Sequence, residues 1–258
     1  MTFIDTHCHL DAEEFDADRN EVMARAMSAG CAAIGVPAID LASSLRVMDL
    51  CAQHPGYLYP MIGLHPEEVR DDWQQQLSEI RALFRPGIVA VGEVGLDFYW
   101  SREFEQQQLQ AFEEQVKWSI ELQLPLMIHC RKAQNEMVQL LRPYKDRLPG
   151  GVFHCFVGNA MEASQLLDFP RFMLGVGGVS TFKNSHLPEV LSAAVPLDRL
   201  VLETDAPYMA PTPVRGTRNE SANIRHVINR LATAYGVSEE QLGDTTTANA
   251  RNLFGLCG

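Results

Sequence analysis

Eight short runs of aliphatic and β-branched residues, each followed by a polar turn and most by a stretch of helical spacing, constrain this chain more than any other feature. The runs are FIDTH, AAIGVPA, YLYPMIGLHP, GIVAVGEVG, LPLMIHC, GGVFHCF, FMLGVGG and LVLETDAP. Helical spacing is read over Glu21 to Ala29, Leu41 to Gln53, Leu77 to Phe84, Phe104 to Leu122, Glu136 to Leu141 and Ile224 to Tyr235. Ser238-Glu239-Glu240-Gln241 reads as a capping box that opens one more short helix. Strands alternating with helices imply a parallel sheet, and a count of eight favours closure into a (β/α)8 TIM barrel over the alternative, a doubly wound open sheet. At 258 residues the chain suits one such α/β domain over 1–258, since barrels commonly run to about 250 residues.

A barrel places function at the carboxyl ends of its strands. His7 and His9 end the first run, His65 the third, Glu93 the fourth, His129 the fifth, His154 the sixth and Asp205 the eighth. In extended backbone His7 and His9 share a face and Cys8 takes the other. Any one of these histidines could be a core residue satisfied by a neighbour. Gathered at one mouth they would form a crowd of polar groups that is costly to bury without a cation. A divalent metal pair removes that cost and creates an activated water. Cys8, Cys130 and Cys155 each adjoin one of these histidines, but strand parity turns them toward the helix layer and away from metal ligation.

Composition sets outer limits. Hydrophobic residues make up 46% and charged residues 21%, the balance of a globular chain, with no apolar run long enough to span a bilayer. No signal-peptide pattern opens the sequence, so the expected location is cytoplasmic. Six cysteines without a C-x-x-C pair do not form a disulfide framework or a zinc ribbon. The net charge of −12 argues against coating nucleic acid, yet it leaves room for an enzyme that neutralises a phosphodiester locally with metal ions and a few basic groups.

The ordered blocks DTHCHLD, GLHP (Gly63 to Pro66), GEVGLDFY (Gly92 to Tyr99), HCR (His129 to Arg131), HCF (His154 to Phe156), ETDAPY (Glu203 to Tyr208) and RNE (Arg218 to Glu220) span nearly the whole chain. In them the sequence resembles the TatD-related metal-dependent hydrolases and DNases of the amidohydrolase superfamily. One departure is Ser221, where the family usually has Pro. The resemblance implies that His7 and His9 hold one metal, that Glu93 bridges two, that His129 and His154 hold the second, and that Asp205 returns to the first. Asp205 can also accept a proton from the attacking water as general base.

Around this set, His65 and Arg131 are candidates to contact a substrate phosphate or leaving group, with loop packing and surface solvation as their plain alternatives. Asp97 and Glu203 are expected to orient ligand imidazoles, Glu203 having a buried pair with Arg218 as its alternative. The glycine-rich LGVGGVSTFKN segment with Lys183 could meet an anion or be a plain loop. Phe98, Tyr99, Trp100 and Tyr208 could stack on unpaired bases or wall a small pocket.

The family resemblance implies a deoxyribonuclease or phosphodiesterase in which metal-bound hydroxide attacks phosphorus. The residues alone give metal-assisted hydrolysis and leave open a small-molecule ester, lactone or cyclic-amide hydrolase. A non-catalytic metal-binding protein fits worst, having no use for Asp205 and Glu93. The expected cofactors are two divalent ions, with Zn, Mn, Ni or Fe favoured by the histidines and Mg open as the activating ion. The expected substrate partner is DNA, as single strands or ends. No membrane or stable protein partner is called for, and the chain is expected to be a monomer.

Overall fold

The aliphatic runs become strands that lie side by side in chain order, all parallel. The computed structural model describes residues 1–256. The strands are β1 (Phe3–Asp5), β2 (Cys31–Pro37), β3 (Leu58–Ile62), β4 (Ala90–Asp97), β5 (Leu126–Arg131), β6 (Gly151–Phe153), β7 (Phe172–Val176) and β8 (Leu200–Leu202). The helices are α1 (Arg19–Ala29), α2 (Leu41–Gln53), α3 (Trp73–Ala82), α4 (Glu105–Leu122), α5 (Gln134–Leu141), α6 (Ala160–Leu167), α7 (Leu187–Ala194), α8 (Ile224–Tyr235) and α9 (Glu239–Phe254). The fold is the expected (β/α)8 TIM barrel.

Helix spacing located α2 and α8 to the residue, whereas α6 and α7 carried too short an amphipathic pattern to be read. Asn159 and Glu162 start α6 with a capping box. The last helix is not short: α9 runs 16 residues, with Ser238 capping the N–H of Gln241. Its length has a packing reason. Ala250 and Phe254 close the amino-terminal end of the barrel, against a floor made by Ile4, Ala33, Met61, Ala90, Met127, Val152 and Val201 from seven strands. The neighbouring strand residues Phe3, Ile34, Ile62, Val91, Ile128, Phe153, Leu174 and Leu202 face the helix layer, so every strand is apolar on both sides.

The seam between β1 and β8 is closed differently from the other ladders. Backbone bonds run from Thr6 N to the Leu202 carbonyl (3.0 Å), from Asp205 N to that of His7 (2.9 Å) and from His9 N to that of Ala206 (2.8 Å). Between them the buried Asp5 carboxylate substitutes for a strand carbonyl. Its Oδ1 accepts from Thr204 N (3.0 Å) and its Oδ2 from the Thr204 hydroxyl (2.7 Å). Burial pushes the Asp5 carboxyl up to about 7, against hydrogen bonds from Thr204 and His7 that favour its charge. Ser221 is fully buried at the start of a 3-10 turn, its hydroxyl without a hydrogen-bond partner.

Asp5→Ala leaves the Thr204 N–H unpaired and its hydroxyl with only the longer bond to the His7 carbonyl (3.3 Å), and should cost about 3 kcal/mol in urea unfolding. Asp5→Asn keeps an acceptor and a donor there and should cost clearly less. Equal losses would show that the seam does not depend on this hydrogen bonding.

Candidate active site

The site is assembled where strand alternation is broken on purpose. In β4 both Val91 and Val94 face the helix layer, and the register with β5 slips between them, so two residues, Gly92 and Glu93, turn inward at a β-bulge. The strand continues to Asp97, which places Glu93 in mid-strand, not at its end as the sequence pattern suggested, and puts Asp97 at the mouth. Gly95 adopts φ +143°, and a Cβ there would strike the His129 backbone, so glycine lets β4 approach β5 closely.

Four donor atoms converge, one of them an oxygen of the Glu93 carboxylate. His7 Nε2 lies 3.2 Å from His9 Nε2 and 3.2 Å from Glu93 Oε2. His9 Nε2 is 3.5 Å from Glu93 Oε2, and Asp205 Oδ1 is 3.7 Å from both imidazole nitrogens. Tetrahedral metal bonds of about 2.0–2.1 Å separate neighbouring ligand atoms by about 3.3–3.4 Å. The set thus has the spacing of a coordination shell, and its donors suit a divalent transition ion.

The other carboxylate oxygen serves a second group. Glu93 Oε1 is 3.1 Å from His129 Nδ1, 3.5 Å from His65 Nε2 and 3.7 Å from His154 Nε2. Asp97 Oδ2 sits 2.8 Å from the far nitrogen of His129, and Glu203 Oε1 sits 3.1 Å from Nδ1 of His154, the latter off the axis of a hydrogen bond. Asp97 thereby holds one ring nitrogen of His129 and leaves the other for the centre, as metal-ligating imidazoles require, while Glu203 stands behind His154 without a hydrogen bond to its Nδ1. His65 differs. Its Nδ1 accepts the backbone N–H of Glu67 (3.1 Å), so in the neutral ring the proton sits on Nε2 and points at the centre. His65 is built as a hydrogen-bond donor, although its nitrogen lies within 4.8 Å of ligand atoms of Glu93 and His129.

Charge follows this arrangement. Burial would push the Glu93 carboxyl up, but the imidazoles of His7, His65, His129 and His154 hold it well below the ordinary range. Burial and then the charge of His154 push His7 down, so it is neutral. His129 is raised to about 9: burial opposes its charge, but Asp97 and Glu93 outweigh it. His154 is raised to about 10, with Glu203 outweighing burial. Asp205 is raised by burial, offset in part by His154 and His9.

Several supporting residues carried no sequence signal. On α4, Gln115 bonds both Leu64 N (2.7 Å) and its carbonyl (3.1 Å), fixing the turn that bears His65. One turn pair earlier, Gln108 accepts from Asp97 N (3.0 Å). These two are seven residues apart, on one helix face, and only the packed fold reveals their partners. Arg218 does not pair with Glu203; it bonds Asp18 (2.8 and 2.7 Å) and ties the loop after β8 to α1. In the glycine-rich segment, a Cβ at Gly175 would collide with the Glu203 carboxylate, so that glycine provides room for a site residue.

Cys8 faces the core as parity requires, but Cys155 does not. It follows the end of β6 at φ +50°, outside the alternation, and its Sγ lies within 4.8 Å of donor atoms of His154 and Glu203. Burial and the charges of Asp205, Glu203 and Glu93 push its thiol well up, so it stays protonated.

Above these groups opens a cleft of about 610 Å³, lined among others by His9, His65, Arg131, Trp100, Val157 and Tyr208. Among the described residues, four of the nine large hydrophobic side chains that stand exposed line it: Trp100, Val157, Tyr208 and Met209. That concentration marks the mouth as a binding surface. Tyr99 stacks edge-on with Trp100 at 4.8 Å, and the Arg131 guanidinium lies 3.7 Å over Tyr99 and 5.3 Å over Trp100. Phe98 alone of the aromatics in this segment is buried.

The family model described as TatD related DNase matches residues 4–255. The chain is 35% identical to the uncharacterized metal-dependent hydrolase YabD of Bacillus subtilis, covering 97% of this chain and 98% of that one. It is also 35% identical to the 3'-5' ssDNA/RNA exonuclease TatD of Citrobacter rodentium, covering 98% and 97%. The crystal structure of the TatD homolog YjjV from Escherichia coli superposes with a TM-score of 0.89 at 31% identity, over 99% and 98% of the two chains.

Because His129 and His154 are protonated at neutral pH in the metal-free site, cation binding must displace their protons. Affinity for Zn or Mn should therefore rise with pH up to about 10, and calorimetry in buffers of different ionisation enthalpy should register proton release. Asp97→Asn or Glu203→Gln should weaken binding about 10–100-fold. A pH-independent affinity would overturn this account.

Proposed function

The chain belongs to the TatD related DNase family and is a metal-dependent hydrolase, and from that premise we propose that it cleaves phosphodiester bonds in DNA presented as single strands or ends. The observation that carries the choice of substrate is the exposed Tyr99–Trp100 platform with Arg131 laid across it at the rim of the cleft. Bases have faces that stack on such rings, and a guanidinium beside them matches a phosphate.

Two divalent ions, one held by His7, His9 and Asp205, the other by His129 and His154, with Glu93 between, would activate a water and offset phosphoryl charge. We favour zinc, manganese, nickel or iron as the bound ions, with magnesium able to act as activator. The chain's own residues do the rest. Asp205, its carboxyl raised by burial, is suited to accept the proton of the attacking water. His65 presents its Nε2–H toward the same centre, where it can donate to a phosphoryl or leaving oxygen. Arg131, pinned by two rings, needs little ordering to hold a phosphate. Asp97 and Glu203 keep the two ligand imidazoles oriented. In this reading the enzyme works as a cytoplasmic monomer.

The carboxylates of Asp11, Glu67 and Glu68 on one wall of the cleft favour a second reading, hydrolysis of a small ester, lactone or cyclic amide by the same water. Metal-reloaded protein, assayed on short single-stranded DNA and on a panel of esters and lactones, separates the two. Asp205→Asn should lower DNA cleavage by about 100-fold or more, and His65→Ala by about 100-fold. Turnover of esters with DNA left intact would overturn the nuclease reading.

A further inference from the structure

Beside the main cleft lies a second cavity, of about 460 Å³, and the two share Val157 as a common wall. It opens between the turns that follow β6 and β7. Val179, Leu187 and Val190 give it an apolar side, while Asn159, Ser185 and His186 give it polar edges. Its single carboxylate, Glu162, is committed to the Asn159 N–H at 2.7 Å in the cap of α6. That size and mixed lining suit a base and sugar. Val157 is itself 61% exposed, an apolar ridge with nothing in the chain to cover it.

Charge gives the direction. Across the barrel, the turns after β1 and β3 put Asp11, Glu67 and Glu68 on the cleft wall, and a phosphate chain would be repelled there. On the β7 and β8 side, Lys183 stands exposed between Val179 and Ser185. Arg215 lies 3.9 Å over the ring of Phe182 on the same turn. Thr212 N donates to Thr181 Oγ1 at 2.8 Å and fastens the loop after β8 to this turn, holding both cations on one side of the mouth.

We propose that the second cavity is the subsite for the nucleotide next to the scissile one, so that a single strand leaves the main cleft over Val157 and runs between the turns after β6 and β7. The inference rests on the phosphodiesterase reading and adds the path of the chain. A substrate with one nucleotide fills the main cleft alone, whereas a longer strand must also occupy the second cavity.

The test compares the p-nitrophenyl ester of thymidine 5′-monophosphate with a five-nucleotide single-stranded DNA, using the metal-loaded full chain and the variants His186→Glu and His186→Lys. His186 is exposed at the start of α7 and outside the main cleft. His186→Glu should raise KM for the pentanucleotide about ten-fold, and His186→Lys should lower it, with strong dependence on salt. Both variants should leave the mononucleotide ester within about two-fold. Val190→Glu, one helical turn further along the same wall of the cavity, should repeat the effect of His186→Glu. If wild-type protein cleaves both substrates and the variants change neither, or change both in parallel, the subsite is wrong and the phosphodiesterase reading stands. Cleavage of the mononucleotide ester but not the pentanucleotide likewise overturns the subsite. If wild-type protein cleaves neither and turns over carboxylic esters, the phosphodiesterase reading fails and the subsite with it.

Discussion

A carboxylate with 2% of its surface exposed, ringed by five imidazoles at 3.1–3.7 Å, is the contact on which this structure turns. Glu93 is tolerable in the barrel interior only because those rings stabilise its charge, and they are placed only because four strand ends deliver them to one point. The bulge in β4 exists to turn this residue inward. A regular strand would direct Val94 or Gly92 to the centre and Glu93 to the helix layer, where no partner waits.

From Glu93 the demands spread outward. Imidazoles can serve a shared centre only if their second nitrogens are fixed, so Asp97 and Glu203 stand behind His129 and His154. These acids need support in turn: Gln108 accepts the N–H of Asp97, and Glu203 accepts that of Cys155 in space left by Gly175. His65 belongs to the same construction but carries the opposite instruction. A backbone N–H on its Nδ1 makes its Nε2 a donor even in the neutral ring. Geometric proximity groups it with the ligands, and hydrogen-bond direction separates it from them.

The surface divides in a similar way. With a net charge of −12 the protein cannot attract nucleic acid broadly, and one wall of its cleft is acidic. The groups suited to a strand are therefore few and local: Arg131 pinned on two rings, apolar side chains exposed at the rim, and two cations on the turn after β7 and the loop after β8. Such a distribution binds a substrate at its reacting end and repels it elsewhere, which suits an enzyme more than a coating protein.

The eight runs of aliphatic residues determined the barrel from sequence alone, because strand and helix periods differ and a parallel sheet of that size has few ways to bury both faces. His7, His9, His65, His129, His154 and Asp205 were legible for the same reason: they sit where runs end, and barrel topology sends run ends to one mouth. Glu203 was legible from the parity it shares with Asp205. Tertiary structure alone decided what depends on contact between distant segments. The bulge at Gly92 and Glu93 is a register slip against β5, invisible in β4 by itself. Asp5 closes the seam through Thr204, Gln115 grips Leu64, and Arg218 chooses Asp18 over Glu203 across separations that no local pattern encodes. Cys155 escaped the parity argument because its left-handed backbone lies beyond the strand whose alternation was assumed. Periodicity fixes which face a side chain takes while the chain is regular, and packing fixes it where regularity ends.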